Sequence, residues 1–192
     1  MSITENRLRQ IVRGERLSKE KINELVLPIQ QQPELTGVLL HEVFEEDRSG
    51  TFNASWVFDH LMRKKLEYLL PYMEEFTHGL SSLRSESCIR PMAHICQMVT
   101  EAYFKNGKVE FRKNVSPEQL ERMVSVCFDW LIGEHKIAAK VFSMTSLFYL
   151  GLQFAWIHPE LKMVLIDTIA SGSAGYKNRA KKTLDRLIAL GH

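Results

Sequence analysis

Apolar residues recur at helical spacing along almost the whole chain, and that period constrains the fold more than any other feature. Leu120, Val124, Cys127 and Leu131 form one such stripe, and Cys88, Met92, Ile95, Cys96, Val99 and Tyr103 form another. Ser116-Pro117-Glu118-Gln119 is the clearest start signal: an N-cap serine, proline at the first helical position and glutamine completing a capping box. A strand-like alternation is confined to Lys108-Val109-Glu110-Phe111, next to Asn106-Gly107, so residues 105–115 are expected to be a small hairpin or a plain loop. Ten Gly and six Pro in 192 residues are too few for a loop-rich β-sandwich, and 45% hydrophobic residues can fill a core. An all-α fold follows.

The punctuation divides this period into nine or so helices. Ser2 with Glu5 makes a capping box for the first, which Gly14 interrupts or ends, and a second runs from Ser18 to about Leu27 before Pro28. Pro33 suits the first turn of a third, with Leu35, Val38, Leu39, Leu40 and Val43 on its apolar face, and Glu45 to Gly50 reads as a surface loop. Asn53 or Ser55 caps a helix carrying Trp56, Val57, Leu61, Leu66 and Leu69, and a short helix follows Pro71. The segment from Ser87 to about Phe104 requires Pro91 in its first turn. Glu134 to about Leu152 is apolar on nearly every face, which places that helix centrally. Helices opening at His158-Pro159 and at Ala174 complete the chain. Ile137, Val141, Met144, Phe148, Leu161, Leu165, Leu184 and Leu187 are expected in the core. In the last helix the buried arc is Tyr176, Ala180, Leu184, Leu187 and Ile188, bordered by Lys177 and Lys181, with Arg179, Lys182 and Arg186 opposite.

An internal repeat underlies these helices. Residues 89–98 match 135–144 in character: a basic residue at the second place (Arg90, Lys136), Ala at the fifth (Ala93, Ala139), His94 or Lys140 at the sixth and an apolar residue at the seventh. The last helix repeats the pattern with Lys177, Ala180 and Lys181, and His60-Leu61 is a partial earlier copy. From His60 to His94, Lys140 and Lys181 the steps are roughly 34, 46 and 41 residues. This resembles the HEAT-repeat superfamily over about residues 33–190. The resemblance implies a right-handed array of antiparallel helix pairs, an α-solenoid, with an irregular helical bundle as the alternative. It implies a single all-helical domain over 1–192, with N-terminal helices in 1–32, about four helix pairs in 33–190 and the most regular part in 116–190.

Chemistry-bearing motifs are incomplete. His41-Glu42-Val43-Phe44-Glu45 has half of a zinc-protease helix, and reads as a solvated acidic helix end with i,i+4 pairing. Glu75-Phe76-Thr77-His78 has one of the two Glu-x-x-His motifs a di-iron bundle needs. No P-loop, dinucleotide fingerprint or nucleophile elbow occurs, so neither cofactor nor metal is expected. Ser171, Ser173, Lys177 and Asn178 resemble part of the signature loop of the adenylosuccinate lyase and fumarase superfamily, without its Met-Pro core; a turn and N-cap account for the serines. HEAT-like DNA alkylation-repair glycosylases, which use aromatic residues and an aspartate, supply a second enzyme alternative, with Trp56 and Asp59 or Asp129 and Trp130 as candidates.

Cys88, Cys96 and Cys127 are an odd set without a CxxC pair and read as reduced, buried thiols. The charged N-terminus lacks an apolar signal core and no apolar run is long enough to span a membrane, so a cytoplasmic protein with no membrane partner is expected. A net charge of +2 is too balanced for the whole molecule to act as a polycation. A local basic stripe remains: Arg90, His94, Lys136, Lys140, Lys177 and Lys181 are the candidate binding residues. The expected function is a non-catalytic interaction or scaffold module with a protein partner, nucleic acid or another polyanion being the alternative ligand.

Overall fold

The computed structural model describes residues 3–45 and 51–192, and all regular structure in them is helical. Ser2, and residues 46–50 of the loop expected at Glu45 to Gly50, lie outside the described residues. The α-helices are α1 (Glu5–Val12), α2 (Lys19–Ile29), α3 (Leu35–Phe44), α4 (Thr51–Met62), α5 (Met73–Gly79), α6 (Glu86–Thr100), α7 (Val109–Asn114), α8 (Pro117–Ile132), α9 (Ile137–Leu150), α10 (Ile157–Ile169) and α11 (Ala174–Ala189). They fall into two compact units, 1–95 and 96–192.

In the first unit α4 packs on α1, α2 and α3, and a 3-10 turn at Leu66–Tyr72 leads into α5. Thr4 caps α1, accepting from the Arg7 amide at 3.3 Å, and Ser18 caps α2 through the Lys21 amide. Asn53 and Ser55 are not caps: both lie inside α4 and point inward. Asn53 Nδ2 donates to the carbonyls of Val12 and Glu15 at 3.1 and 2.9 Å, and its Oδ1 accepts from the Leu17 amide at 2.9 Å. A buried carboxamide thus satisfies backbone groups of the α1–α2 loop that would otherwise be orphaned.

Pro91 corrects the expectation for α6, because it sits in the second turn rather than the first. Lacking an N–H, it cannot bond the Ser87 carbonyl four residues back. Ser55 Oγ donates to that carbonyl at 3.3 Å, and the helix continues to Thr100.

In the second unit α9 packs on α8, α10 and α11, the central position its sequence indicates. The capping box of α8 is complete: the Gln119 amide donates to Ser116 Oγ at 3.3 Å, and the Ser116 amide donates to Gln119 Oε1 at 3.0 Å. Residues 105–115 are not a hairpin or a plain loop. A π-helical turn at Glu101–Lys105 passes through Gly107, whose φ of +59° suits glycine, into α7, where Phe111 is buried. Close packing also fixes Gly151, since a Cβ there would come within 2.0 Å of the buried His158 ring.

Met144, Phe148, Leu161, Leu165 and Leu187 are buried, whereas Ile137 is 45% exposed and Val141 and Leu184 are half-buried. Ile137 opens α9 at the helix end, where no preceding turn covers it. On α11 the buried arc is Tyr176, Ala180, Thr183 and Leu187, and Ile188 faces out. Arg179 and Arg186 are not opposite that arc but flank it. Arg186 lies 3.6 Å from the Phe148 ring centroid, and Arg179 donates to Thr145 Oγ1 at 3.3 Å. Both guanidinium groups therefore lie against α9, that of Arg186 on an aromatic face and that of Arg179 on a hydroxyl.

Candidate functional site: a cationic aromatic cleft

The spacing of Phe52, Trp56 and His60, four residues apart on α4, sets three rings along one helix face. Phe52 and Trp56 have centroids 5.9 Å apart and tilted by 42°; Trp56 and His60 are 6.3 Å apart. Cations converge on this ladder from separate elements. The Arg16 guanidinium, on the loop held by Asn53, lies 4.3 Å above Phe52, and that of Arg90, on α6, lies 4.9 Å from the Trp56 centroid. With Leu17, Lys19, Ile22 and Arg63 these side chains line a cleft of about 360 Å³, at the lower end of small-ligand sites.

The charge of the cleft is one-sided. No carboxylate lines it among the described residues, and Arg16, Lys19 and Arg90 form no salt bridge there. Asp59 lies beneath the ladder, 2% exposed, with Oδ2 accepting from Arg63 at 2.6 Å and Oδ1 paired to His94 Nδ1 at 2.5 Å. Burial, with the nearby charge of Arg63, holds the His60 imidazole below its ordinary pKa, and its Nδ1 lies 3.0 Å from Asn23 Oδ1.

The stripe residues divide between the units. Arg90 faces the cleft and His94 is spent on Asp59. In the second unit Lys140 lines a separate pocket of about 270 Å³ with His135, Thr168, Ser171, Ser173 and Tyr176, and Lys136, Lys177 and Lys181 are exposed. The serines of that segment are structural: Ser173 Oγ caps α11 through the Tyr176 amide, and Ser171 Oγ donates to the Thr168 carbonyl at 3.1 Å.

The glycosylase candidates separate in the same way. Both oxygens of Asp59 are occupied, and Asp129 is exposed while its neighbour Trp130 is buried in the core. Glu42 is not solvated as the sequence suggested. It is 4% exposed and bonded by Arg9 and, at 2.6 Å through both Nε and Nη2, by Arg13. Burial pushes its carboxyl pKa up, but the bonds from Arg13 and Arg9 outweigh this and hold it below the usual range. His41 pairs with Glu45 at 3.6 Å and His78 with Glu74 at 3.2 Å, and no group of three or more metal-ligating side chains occurs among the described residues. The three cysteines are buried and form no disulfide; burial and the adjoining Cys127 thiol push the Cys96 thiol well above its usual pKa.

The family model for a HEAT repeat domain matches residues 8–185, both units almost entirely. The chain belongs to the HEAT-repeat family. No curated protein and no solved structure matches it. The helix pairs of this HEAT-repeat protein therefore have the expected fold class, and among the described residues none of its helices is long and apolar enough to cross a membrane.

The sequence singled out Trp56 and Asp59 as a pair, and Arg90 as part of a stripe. It missed Arg16, Lys19 and Arg63 as their companions. The four-residue spacing of Phe52, Trp56 and His60 was a readable signal for one face, but the cations arrive through tertiary contacts that no local pattern records.

Proposed function

We propose that the protein is a non-catalytic HEAT-repeat module that recruits an anionic partner through the cleft of its first unit. The observation that carries this reading is the convergence of Arg16, Lys19, Arg63 and Arg90 on a cleft without a lining carboxylate among the described residues. Arg63 is paired with Asp59, but Arg16, Lys19 and Arg90 lie near it and one another without a salt bridge; such cations repel, and a bound anion relieves that repulsion. Stacking of Arg16 and Arg90 on aromatic rings restricts both side chains before a partner arrives, which lowers the ordering cost of binding. The full occupation of Asp59 supports a binding role over a glycosylase in which a free aspartate would face the substrate.

The test is retention on immobilised heparin, a polyanion without bases, as salt is raised. The wild type is expected to bind at low salt and elute early, because displaced counterions make affinity fall steeply with ionic strength. Arg16→Glu with Arg90→Glu should abolish retention while helicity by circular dichroism is kept. Lys140→Glu with Lys181→Glu, in the second unit, should leave most of it. Retention lost only in the second pair would move the binding surface to the lysine stripe.

A further inference from the structure

We infer that the cleft is built for an unpaired nucleotide within a nucleic-acid strand, its phosphates met by the cleft cations and its base by the ring ladder of α4. This rests on the proposed role of the cleft in binding an anionic partner and names the chemistry of that partner. Electrostatics alone would be served by lysines on any open surface. Here the cations are interleaved with π-faces: Arg16 over Phe52, Arg90 over Trp56, and Arg63 and Lys19 near His60 at the far end of the ladder. An acidic peptide supplies carboxylates at variable spacing and has no constant use for three rings in a row. A nucleic-acid strand supplies one phosphate and one planar π-system per unit, which is the alternation the cleft presents.

Geometry favours an unpaired base over a duplex. The rings line a recess of about 360 Å³ instead of standing on a flat face, so a base must leave its own stack to reach them. A guanidinium lying on an aromatic ring keeps its other face free for a base and its edge N–H groups free for phosphate oxygens. Phe52 and Trp56 are each half-buried, so part of each side chain remains accessible. Asp59 carries a structural charge that fixes the site: through His94 it ties α4 to α6, through Arg63 it holds a cation of the recess, and it does not line the recess itself.

The experiment measures fluorescence anisotropy of the full chain with a labelled oligothymidylate, with an abasic strand of the same length, with the oligothymidylate annealed into a duplex, and with thymidine monophosphate as competitor. The single strand is expected to bind about 5- to 150-fold more tightly than the abasic strand, the range that about one to three kcal/mol of base–aromatic stacking produces. Trp56→Leu should remove most of that difference, weakening the base-bearing strand far more than the abasic one, and Trp56→Phe should restore much of it. Arg16→Gln with Arg90→Gln should weaken both strands and flatten the salt dependence. Circular dichroism of each variant separates loss of the site from loss of the fold. Equal binding of the abasic and base-bearing strands overturns the nucleotide site and leaves the polyanion module standing. Absence of binding by every strand at low salt overturns both. A preference for the duplex overturns the unpaired base, and competition by thymidine monophosphate at the strand's own affinity overturns the strand as its source.

Discussion

The two units solve the same folding problem with different materials. In the second, α8 to α11 are helices of 13 to 16 residues, and the polar groups buried among Leu120, Cys127, Phe148, Leu161 and Leu187 are hydroxyls and the His158 imidazole. In the first, α1 to α5 have only 7 to 12 residues, with 3-10 turns on both sides of α5, and the interior holds Glu42, Asn53 and Asp59. Each of these three buried polar groups reaches a partner on another element: Arg9 and Arg13 on and beside α1, the α1–α2 loop, and His94 on α6. Short irregular elements leave backbone and cationic groups that apolar packing cannot satisfy, and buried polar side chains satisfy them. The same connections place Arg16 and Arg90 against the rings of α4. The two units thus differ in the kind of polar group they bury: hydroxyls and an imidazole in the second, and in the first also carboxylates and a carboxamide that draw in cations and loop backbone.

The sharpest way to break this contrast is to remove an interior group from each unit and compare the response to pH. Phe148→Ala in the second unit should cost about 3–5 kcal/mol in urea unfolding, since it opens a cavity beneath Tyr149 and His158 and strips Arg186 of its ring. That loss should persist in acid, because the deleted ring itself carries no charge and acid acts on it only through the burial of the adjoining His158, which holds that imidazole below its ordinary pKa. A cost below about 1 kcal/mol would show that the interior of this unit relaxes around the ring and is not tightly packed.

Glu42→Gln in the first unit is expected to cost less, about 1–3 kcal/mol at neutral pH, because Arg9 and Arg13 remain partly exposed and can recover water. Its signature lies in acid. The folded-state pKa of Glu42 is lowered, so its contribution is fully present above the unfolded value of about 4.3 and is lost as pH falls through the folded value. Wild type and Glu42→Gln should therefore converge in stability at low pH, while wild type and Phe148→Ala stay apart. A Glu42→Gln deficit that persists unchanged in acid would mean that shape, not charge, makes residue 42 matter.

Legibility in the sequence follows the same division. The second unit could be read almost helix by helix, because the Ser116 capping box, the stripe at Leu120, Val124 and Cys127 and the Ser173 cap are local signals carried out by local geometry. Its errors were at edges: Ile137, expected inside, is exposed at the start of α9, and Arg186, expected opposite the buried arc, flanks it and sets its guanidinium over the Phe148 ring while remaining exposed. In the first unit Asn53 and Ser55 read as caps because their residue types favour helix ends, yet both serve groups more than 30 residues away. Glu42 read as solvated for a similar reason, since nothing near it in sequence announces Arg9 and Arg13. The cleft was half visible: its rings share one helix and one period, and its cations do not.

The smallest effect, and the most specific, tests whether a polar side chain of the first unit replaces backbone chemistry. Ser55→Ala removes the hydroxyl that serves the Ser87 carbonyl, and should cost about 1 kcal/mol, the usual worth of one such bond. The single hydroxyl proton is shared with the Phe52 carbonyl, 2.9 Å away within α4, so the single variant does not isolate the role of Ser87. Pro91→Ala does. It restores an N–H that can reach the Ser87 carbonyl from within α6, leaving the Ser55 contact redundant. In a double-mutant cycle Ser55→Ala should then cost less on the Pro91→Ala background, by about 0.5–1 kcal/mol. Strict additivity would show that the Ser87 carbonyl gains nothing from Ser55 and that α6 tolerates its proline through packing alone.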